Sequence, residues 1–123
     1  MPPTQPIRVY VVDDERVIAS TLEAILNMSG FYATAFTAPD EAISAAKMDC
    51  PSLLITDVAM PGMNGIELAI QLQTICPGCK ILLFSGQAST SDLLEEARKQ
   101  GRDFKLLSKP VHPADLLAAI GEL

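Results

Sequence analysis

The sequence predicts an α/β fold: a doubly wound, five-stranded parallel sheet with five helices packed on its two faces. Two observations predict it. Short apolar, largely β-branched runs alternate five times with stretches of helical periodicity, and the runs lack the strict polar alternation of a strand with one wet face. Parallel strands joined by right-handed helical crossovers satisfy both, and a chain of 123 residues is long enough for one such core.

Taken in order, residues 7–12 are apolar enough to be covered on both faces. Between 15 and 29, Ile18, Leu22, Ile25 and Leu26 recur at helical spacing, and Gly30 supplies the C-terminal stop. Residues 31–36 read as the second strand. Thr37, with Asp40 three positions later and Pro39 between them, marks a helix start that runs to about residue 48. A third strand over 52–56 ends at Asp57. The following Pro61-Gly62-Met63-Asn64-Gly65 has strong turn chemistry, and Asn64 is placed to cap the next helix with Glu67 at its third position. Ile66, Ile70 and residues 72–75 give that helix its apolar side. Residues 80–84 form a fourth strand, 89–100 a helix stopped by Gly101, 104–107 a fifth strand and 113–120 a last helix. Residues 1–6 are expected to be a disordered tail, leaving 7–123 as the folded domain.

Composition narrows the function. A net charge of −6 argues against phosphate-backbone binding by this segment, because nucleic-acid affinity rests on clustered Lys and Arg. No apolar run approaches the roughly 20 residues that cross a bilayer, and the opening MPPTQP has neither the basic nor the apolar region of a signal peptide. A cytoplasmic protein with no membrane contact is expected. Cys76-Pro-Gly-Cys79 has the spacing of a redox dithiol or half a zinc site. It follows a helical pattern and precedes a strand, the reverse of a thioredoxin-like arrangement. For zinc, only Cys50 and His112 remain as partners, and neither brings a second close pair. The expectation is a turn with reduced thiols.

In doubly wound sheets the functional crevice lies beyond the carboxyl ends of the strands. Asp13 and Asp14 end the first strand, Asp57 the third, Ser85 the fourth and Lys109 the fifth. Each has an ordinary alternative: Asp14 and Glu15 suit a helix N-terminus, Asp57 and Ser85 suit turns, and Lys109 suits a solvated surface. Three carboxylates, a hydroxyl and an ammonium converging on one edge point instead to a shared site. Adjacent carboxylates beside an apolar strand are tolerable only if a cation, hydrogen bonds or solvent stabilise their charge.

In order and spacing, "VVDDE", "LLITDVAMPGMNG", "ILLFSG" and "LLSKP" resemble the four motif blocks of response-regulator receiver domains, over essentially the whole chain. The resemblance implies the strand order 2-1-3-4-5 of a flavodoxin-like three-layer sandwich. It implies that Asp57 is the phosphoacceptor, taking a phosphoryl group from a histidine kinase or a histidine phosphotransfer protein. Asp13, Asp14, Asp57 and the backbone carbonyl of Ala59 would then hold Mg²⁺. Lys109 would pair with the phosphoryl group, and Ser85 would hydrogen-bond it and act as a switch. Lys109-Pro110 is the position of a cis bond in the family. The fourth helix, fifth strand and fifth helix would present the change to an output domain or protein. A signalling domain with at most slow self-dephosphorylation is implied, not an enzyme.

The chain departs from the family at Leu106, where the second switch residue is usually Tyr or Phe; Phe104 lies two positions earlier and on the same strand face. Ala59 and Gln87 flank the expected phosphoryl site. Two other readings compete. A metal-dependent phosphohydrolase with an aspartyl nucleophile would want D-x-D-x-T, and "DVAMP" supplies no second Asp. A non-phosphorylated interaction domain of the same fold would have no use for the complete set of Asp13, Asp14, Asp57, Ser85 and Lys109.

Overall fold

A parallel strand cannot be followed directly by its neighbour, so the chain must cross one face of the sheet before each new strand. The computed structural model, which describes residues 7–86, 90–102, 104–109 and 111–123, does this throughout. The elements are β1 (Arg8–Val12), α1 (Arg16–Met28), β2 (Tyr32–Phe36), α2 (Pro39–Met48), β3 (Leu53–Asp57), α3 (Gly65–Ile75), β4 (Lys80–Ser85), α4 (Thr90–Lys99), β5 (Lys105–Ser108) and α5 (Pro113–Gly121). The sheet order is β2-β1-β3-β4-β5, every pairing parallel. The order reverses between β1 and β3, which opens a crevice at their carboxyl ends.

Burial explains why the strands read as continuous apolar runs. Every residue of β3 is buried, and so is all of β1 except Arg8. Alternate side chains feed two cores. Val9, Val11, Ile55 and Phe84 pack under α1 and α5 through Leu22, Leu26 and Leu116, while Tyr10, Val12, Leu54 and Leu83 pack on the other face with Ala42, Leu68, Leu72 and Ala97. Each fully buried aliphatic side chain contributes about 1.5–3 kcal/mol of transfer free energy, so two continuous layers of them carry the fold.

Local signals place the helices well, with one correction at their starts. Asn64 caps α3 as expected: its side chain accepts from the Glu67 N–H at 2.8 Å and the Glu67 carboxylate accepts from the Asn64 N–H at 2.9 Å. Gly30 and Gly101 follow α1 and α4 with φ of +94° and +83°, a region that β-carbons disfavour. The cap of α2, by contrast, is Ala38 and not Thr37, and it makes no side-chain bond. Pro39, with its fixed φ, takes the first helical position and puts the cap immediately before it. Nor do the side chains next to α1 cap it, since Glu15 occupies the N-cap without a side-chain bond.

The cysteines depart furthest from expectation. Cys76 is not a reduced turn thiol: it is joined to Cys50, with the Cα atoms 5.7 Å apart, while Cys79 remains free and buried. Cys50 lies just past the end of α2 and Cys76 caps the end of α3. The two helices pack side by side on one face, which brings their ends together; the partner lies 26 residues away, beyond any local motif. Residues 1–6, Gln87 and Pro110, and with them the expected tail and the cis bond, lie outside the described residues.

Replacing Asn64 by Ala removes one half of the capping box and should destabilise the domain by about 1 kcal/mol. Urea unfolding should show a lower midpoint at unchanged slope.

Candidate functional site

The strand register delivers the site residues to one edge. Val12 is level with Thr56, Asp57 with Phe84, and Ser85 with Ser108, so the residues that end or follow these strands meet beyond the sheet. Asp13, Asp57 and Ser85 are buried there, although each is polar, and Asp14 beside them is exposed. The Asp13 N–H donates to the Phe36 carbonyl at 3.1 Å, continuing the β1–β2 ladder by one step. Its carboxylate accepts from the Glu15 N–H at 2.9 Å, the amide of the residue that stands at the N-cap of α1.

Lys109 ties the edge together. Its Nζ lies 3.2 Å from Asp57 Oδ2 and 3.3 Å from Asp13 Oδ2, and 5.0 Å from the centre of the Phe84 ring. The Lys109 backbone N–H donates to the Ser85 carbonyl at 3.0 Å, which fixes the residue after β5 to the end of β4. One carboxylate oxygen from each of Asp13, Asp14 and Asp57 lies within 4.8 Å of the others. All five side chains singled out from the sequence therefore sit at the strand ends, and three of them are in direct ionic contact. Ala59 is two residues beyond Asp57 in the loop to α3, half-buried.

The charges are unequally supported. Burial pushes the Asp13 carboxyl above the usual carboxylate range, and the Glu15 amide and the Lys109 charge offset this only in part. Burial alone would lower Lys109, yet the hydrogen bond to Asp57 and the charges of Asp13 and Asp57 hold it above its ordinary value. Lysine thus gains from the arrangement while Asp13 is strained by it, as expected when one cation faces several anions.

Some residues of this edge carry no signal of their role in the sequence. Gly65 donates its N–H to the Val58 carbonyl at 2.8 Å, and a β-carbon there would lie 2.1 Å from the Asp57 carbonyl oxygen. The turn pattern identified it as punctuation; the close approach to the backbone of Asp57 is a tertiary fact. The Thr56 hydroxyl donates to that same carbonyl at 3.0 Å, and Phe84 floors the Lys109 ammonium. Leu106 and Phe104 are half-buried and pack on the α2–α4 side, the shared face expected for them. Next to Lys109, a groove of about 440 Å³ runs between α1 and the start of α5, lined by Val17, Ile18, Thr21, Ile25, Phe84 and Val111. Val17 is 77% exposed at its rim.

The raised pKa of Asp13 fixes a sign. An acid raised by folding contributes stability below its unfolded pKa and loses it as pH rises through the folded value, so at pH 7 its charge opposes folding. Asp13→Asn should make the metal-free protein more stable at pH 7. In denaturant titrations the advantage over wild type should shrink as pH falls toward 4, about the unfolded pKa of Asp.

The comparisons with known proteins agree with this geometry. The family model for the response regulator receiver domain matches residues 9–121. The response regulator receiver protein CpdR of Brucella abortus is 34% identical over 116 residues, covering 94% of this chain and 95% of that protein. The transcriptional regulatory protein TcrX of Mycobacterium tuberculosis is 31% identical across 86% of this chain, which spans only 44% of TcrX. Among solved structures, a CheY-like receiver domain protein from Methanospirillum hungatei superposes with a TM-score of 0.85 at 28% identity, covering 96% of this chain and 93% of that one. With the fold, the strand-end edge and these relatives in agreement, the chain belongs to the response-regulator receiver domains, the signalling modules of two-component systems.

Proposed function

We propose that Asp57 accepts a phosphoryl group from a phosphohistidine donor and that the resulting charge at the strand ends is the signal. The observation that carries this reading is the single ammonium of Lys109 held between two buried carboxylates, with a third carboxylate at the rim. In the transfer, an Asp57 oxygen forms a bond to phosphorus as the bond from phosphorus to the donor nitrogen breaks, and the nitrogen keeps the electron pair. Little covalent help is required; in-line positioning and charge compensation dominate such reactions.

Each residue has a part. The contacts to the Asp57 backbone from Thr56, and the close approach of Gly65, hold the acceptor carboxylate in place. Lys109 already touches the acceptor and needs only a small shift to meet a phosphoryl oxygen. Ser85, buried at the end of β4, offers a hydroxyl to another. Asp13, Asp14, Asp57 and the Ala59 carbonyl would hold Mg²⁺. The donors fit that ion: all are oxygens, and exposed Asp14 leaves one side open to the waters magnesium retains. When bound, the cation neutralises charge on the transferred oxygens. The acyl phosphate would be lost by slow self-hydrolysis at most.

The partners follow from the same reading. The donor is a histidine kinase or a histidine phosphotransfer protein, and the apolar groove beside Lys109, with Val17 exposed at its rim, offers a helix of that donor a surface within reach of the acceptor. The α4–β5–α5 face would serve an output domain or protein. This puts the domain in the cytoplasm, without direct contact with nucleic acid or membrane, in keeping with its net charge of −6; no described helix is long and apolar enough to cross a membrane.

Acetyl phosphate with Mg²⁺ should add one phosphoryl group by intact mass, and Asp57→Ala should abolish it; equal labelling of that variant would overturn the assignment. Asp14→Asn should weaken Mg²⁺ binding and slow labelling, since one ligand charge is lost.

Without a ring at position 106, switching should depend on Ser85 more than on side-chain packing. Ser85→Ala should keep labelling at Asp57 while greatly reducing the amide NMR shift changes over residues 86–107. Leu106→Ala should reduce them only slightly. The reverse pattern would assign the signal to leucine packing.

A further inference from the structure

We propose that Cys50 and Cys76 form a reversible thiol-oxidation site, a staple made and broken by exchange with small disulfides and thiols of the glutathione class. Two separate observations support it. The pair is bonded, with a Cα separation of 5.7 Å that lies in the middle of the range a disulfide spans without moving the backbone. The two cysteines also differ in access: Cys50 is exposed past the end of α2, while Cys76 is buried at the end of α3. An exposed thiol backed by a buried partner within bonding reach is the arrangement that exchange chemistry needs.

Cys79 does not belong to the site. Although it completes the CxxC spacing, it stays a free thiol while Cys76 is bonded to the distant Cys50. The tight turn holds it by its backbone, with the Cys79 N–H donating to the Cys76 carbonyl at 2.9 Å. The active pair is therefore the distant one.

The Cys50 thiolate attacks one sulfur of the small disulfide, forming a mixed disulfide and expelling one thiolate, which takes a proton. The Cys76 thiolate then attacks the Cys50 sulfur, forming the protein bond and expelling the second thiolate, which is protonated in turn. Two cysteines lose two electrons, and one small disulfide becomes two thiols. Excess small thiol runs the sequence backwards.

Position determines the effect. The bond closes a loop with a sequence separation of 26 that contains the whole of β3 and α3, and therefore Asp57. It lies at the amino ends of β3 and β4, a strand's length from the carboxyl edge where Lys109 meets Asp57. Oxidation should thus act on the stability of the unit that bears the acceptor. Closing a loop of this length restricts the unfolded chain enough to raise the unfolding midpoint of a domain this size by roughly 10 °C.

The test uses the purified full chain equilibrated in glutathione buffers of graded ratio, quenched by alkylation under denaturing conditions and mapped by peptide mass. The expected result is a reversible Cys50–Cys76 cross-link, two hydrogen atoms lighter than the dithiol, with Cys79 alkylated at every ratio. Cys79→Ser should form the same bond and show the same rise in midpoint on oxidation. Cys50→Ser, a change at an exposed position, should form no internal bond and show no rise. The Asp57→Ala protein should behave as wild type, which separates this result from the phosphoacceptor reading. A Cys76–Cys79 bond in the oxidised wild type, or a Cys50–Cys76 bond whose formation leaves the midpoint unchanged, would overturn the proposal.

Discussion

One ammonium facing an excess of carboxylates is the constraint on which the rest of this molecule depends. Lys109 contacts Asp57 and Asp13, and Asp14 adds a third carboxylate within 4.8 Å, so among the described residues the carboxylates outnumber the ammonium at the strand ends. Burying such a set is unfavourable unless the geometry is fixed by something else. Here the sheet supplies it: β1, β3 and β5 end within two register steps of one another, and their central residues are locked between two apolar layers. The hydrophobic core therefore stabilises the charge imbalance, and under the proposed function that imbalance is what a cation, and through it a phosphoryl group, would relieve.

The two ends of the sheet are consequently different in kind. At the carboxyl ends, backbone groups are held by close, specific contacts, such as Gly65 against Asp57 and the Lys109 amide on Ser85. At the amino ends the chain is joined covalently instead, through Cys50 and Cys76. The β3–α3 unit runs between these ends and carries the acceptor. Rigidity there matters because an attacking oxygen displaced by about an ångström loses much of its positional advantage.

How far the sequence was legible follows this division. Elements set by periodicity or by a capping pair, such as α3 with Asn64 and Glu67, were readable because their causes are local. So was the meeting of five scattered positions at one edge, since strand carboxyl ends in such a sheet point to a common crevice. What was not readable depends on separation. The Cys50–Cys76 bond spans 26 residues and was hidden behind the nearer Cys79. The role of Gly65 rests on a 2.1 Å approach that only the packed structure defines, and Phe84 beneath Lys109 looks in the sequence like any other core residue. The cap of α2 was misplaced by one residue because Pro39 overrides the side-chain signal of Thr37.

A change at Asp57 would leave the site only through groups that respond to it. A ligand biases a two-state element only through a difference in its contacts with the two states. Leu106 packs half-buried on the α2–α4 side, beside the core and out of contact with the carboxylates, and an aliphatic side chain there has no polar tip with which to sense charge. Ser85 and Lys109 are differently placed: both face the acceptor edge, and their backbones are hydrogen-bonded to each other across β4 and β5. A phosphoryl group drawing on the hydroxyl of one and the ammonium of the other would pull two adjacent strand ends together through a connection that already exists. If Ser85 and Lys109 hold the phosphoryl group as proposed, the path outward would start in the backbone between them, and the leucine would follow.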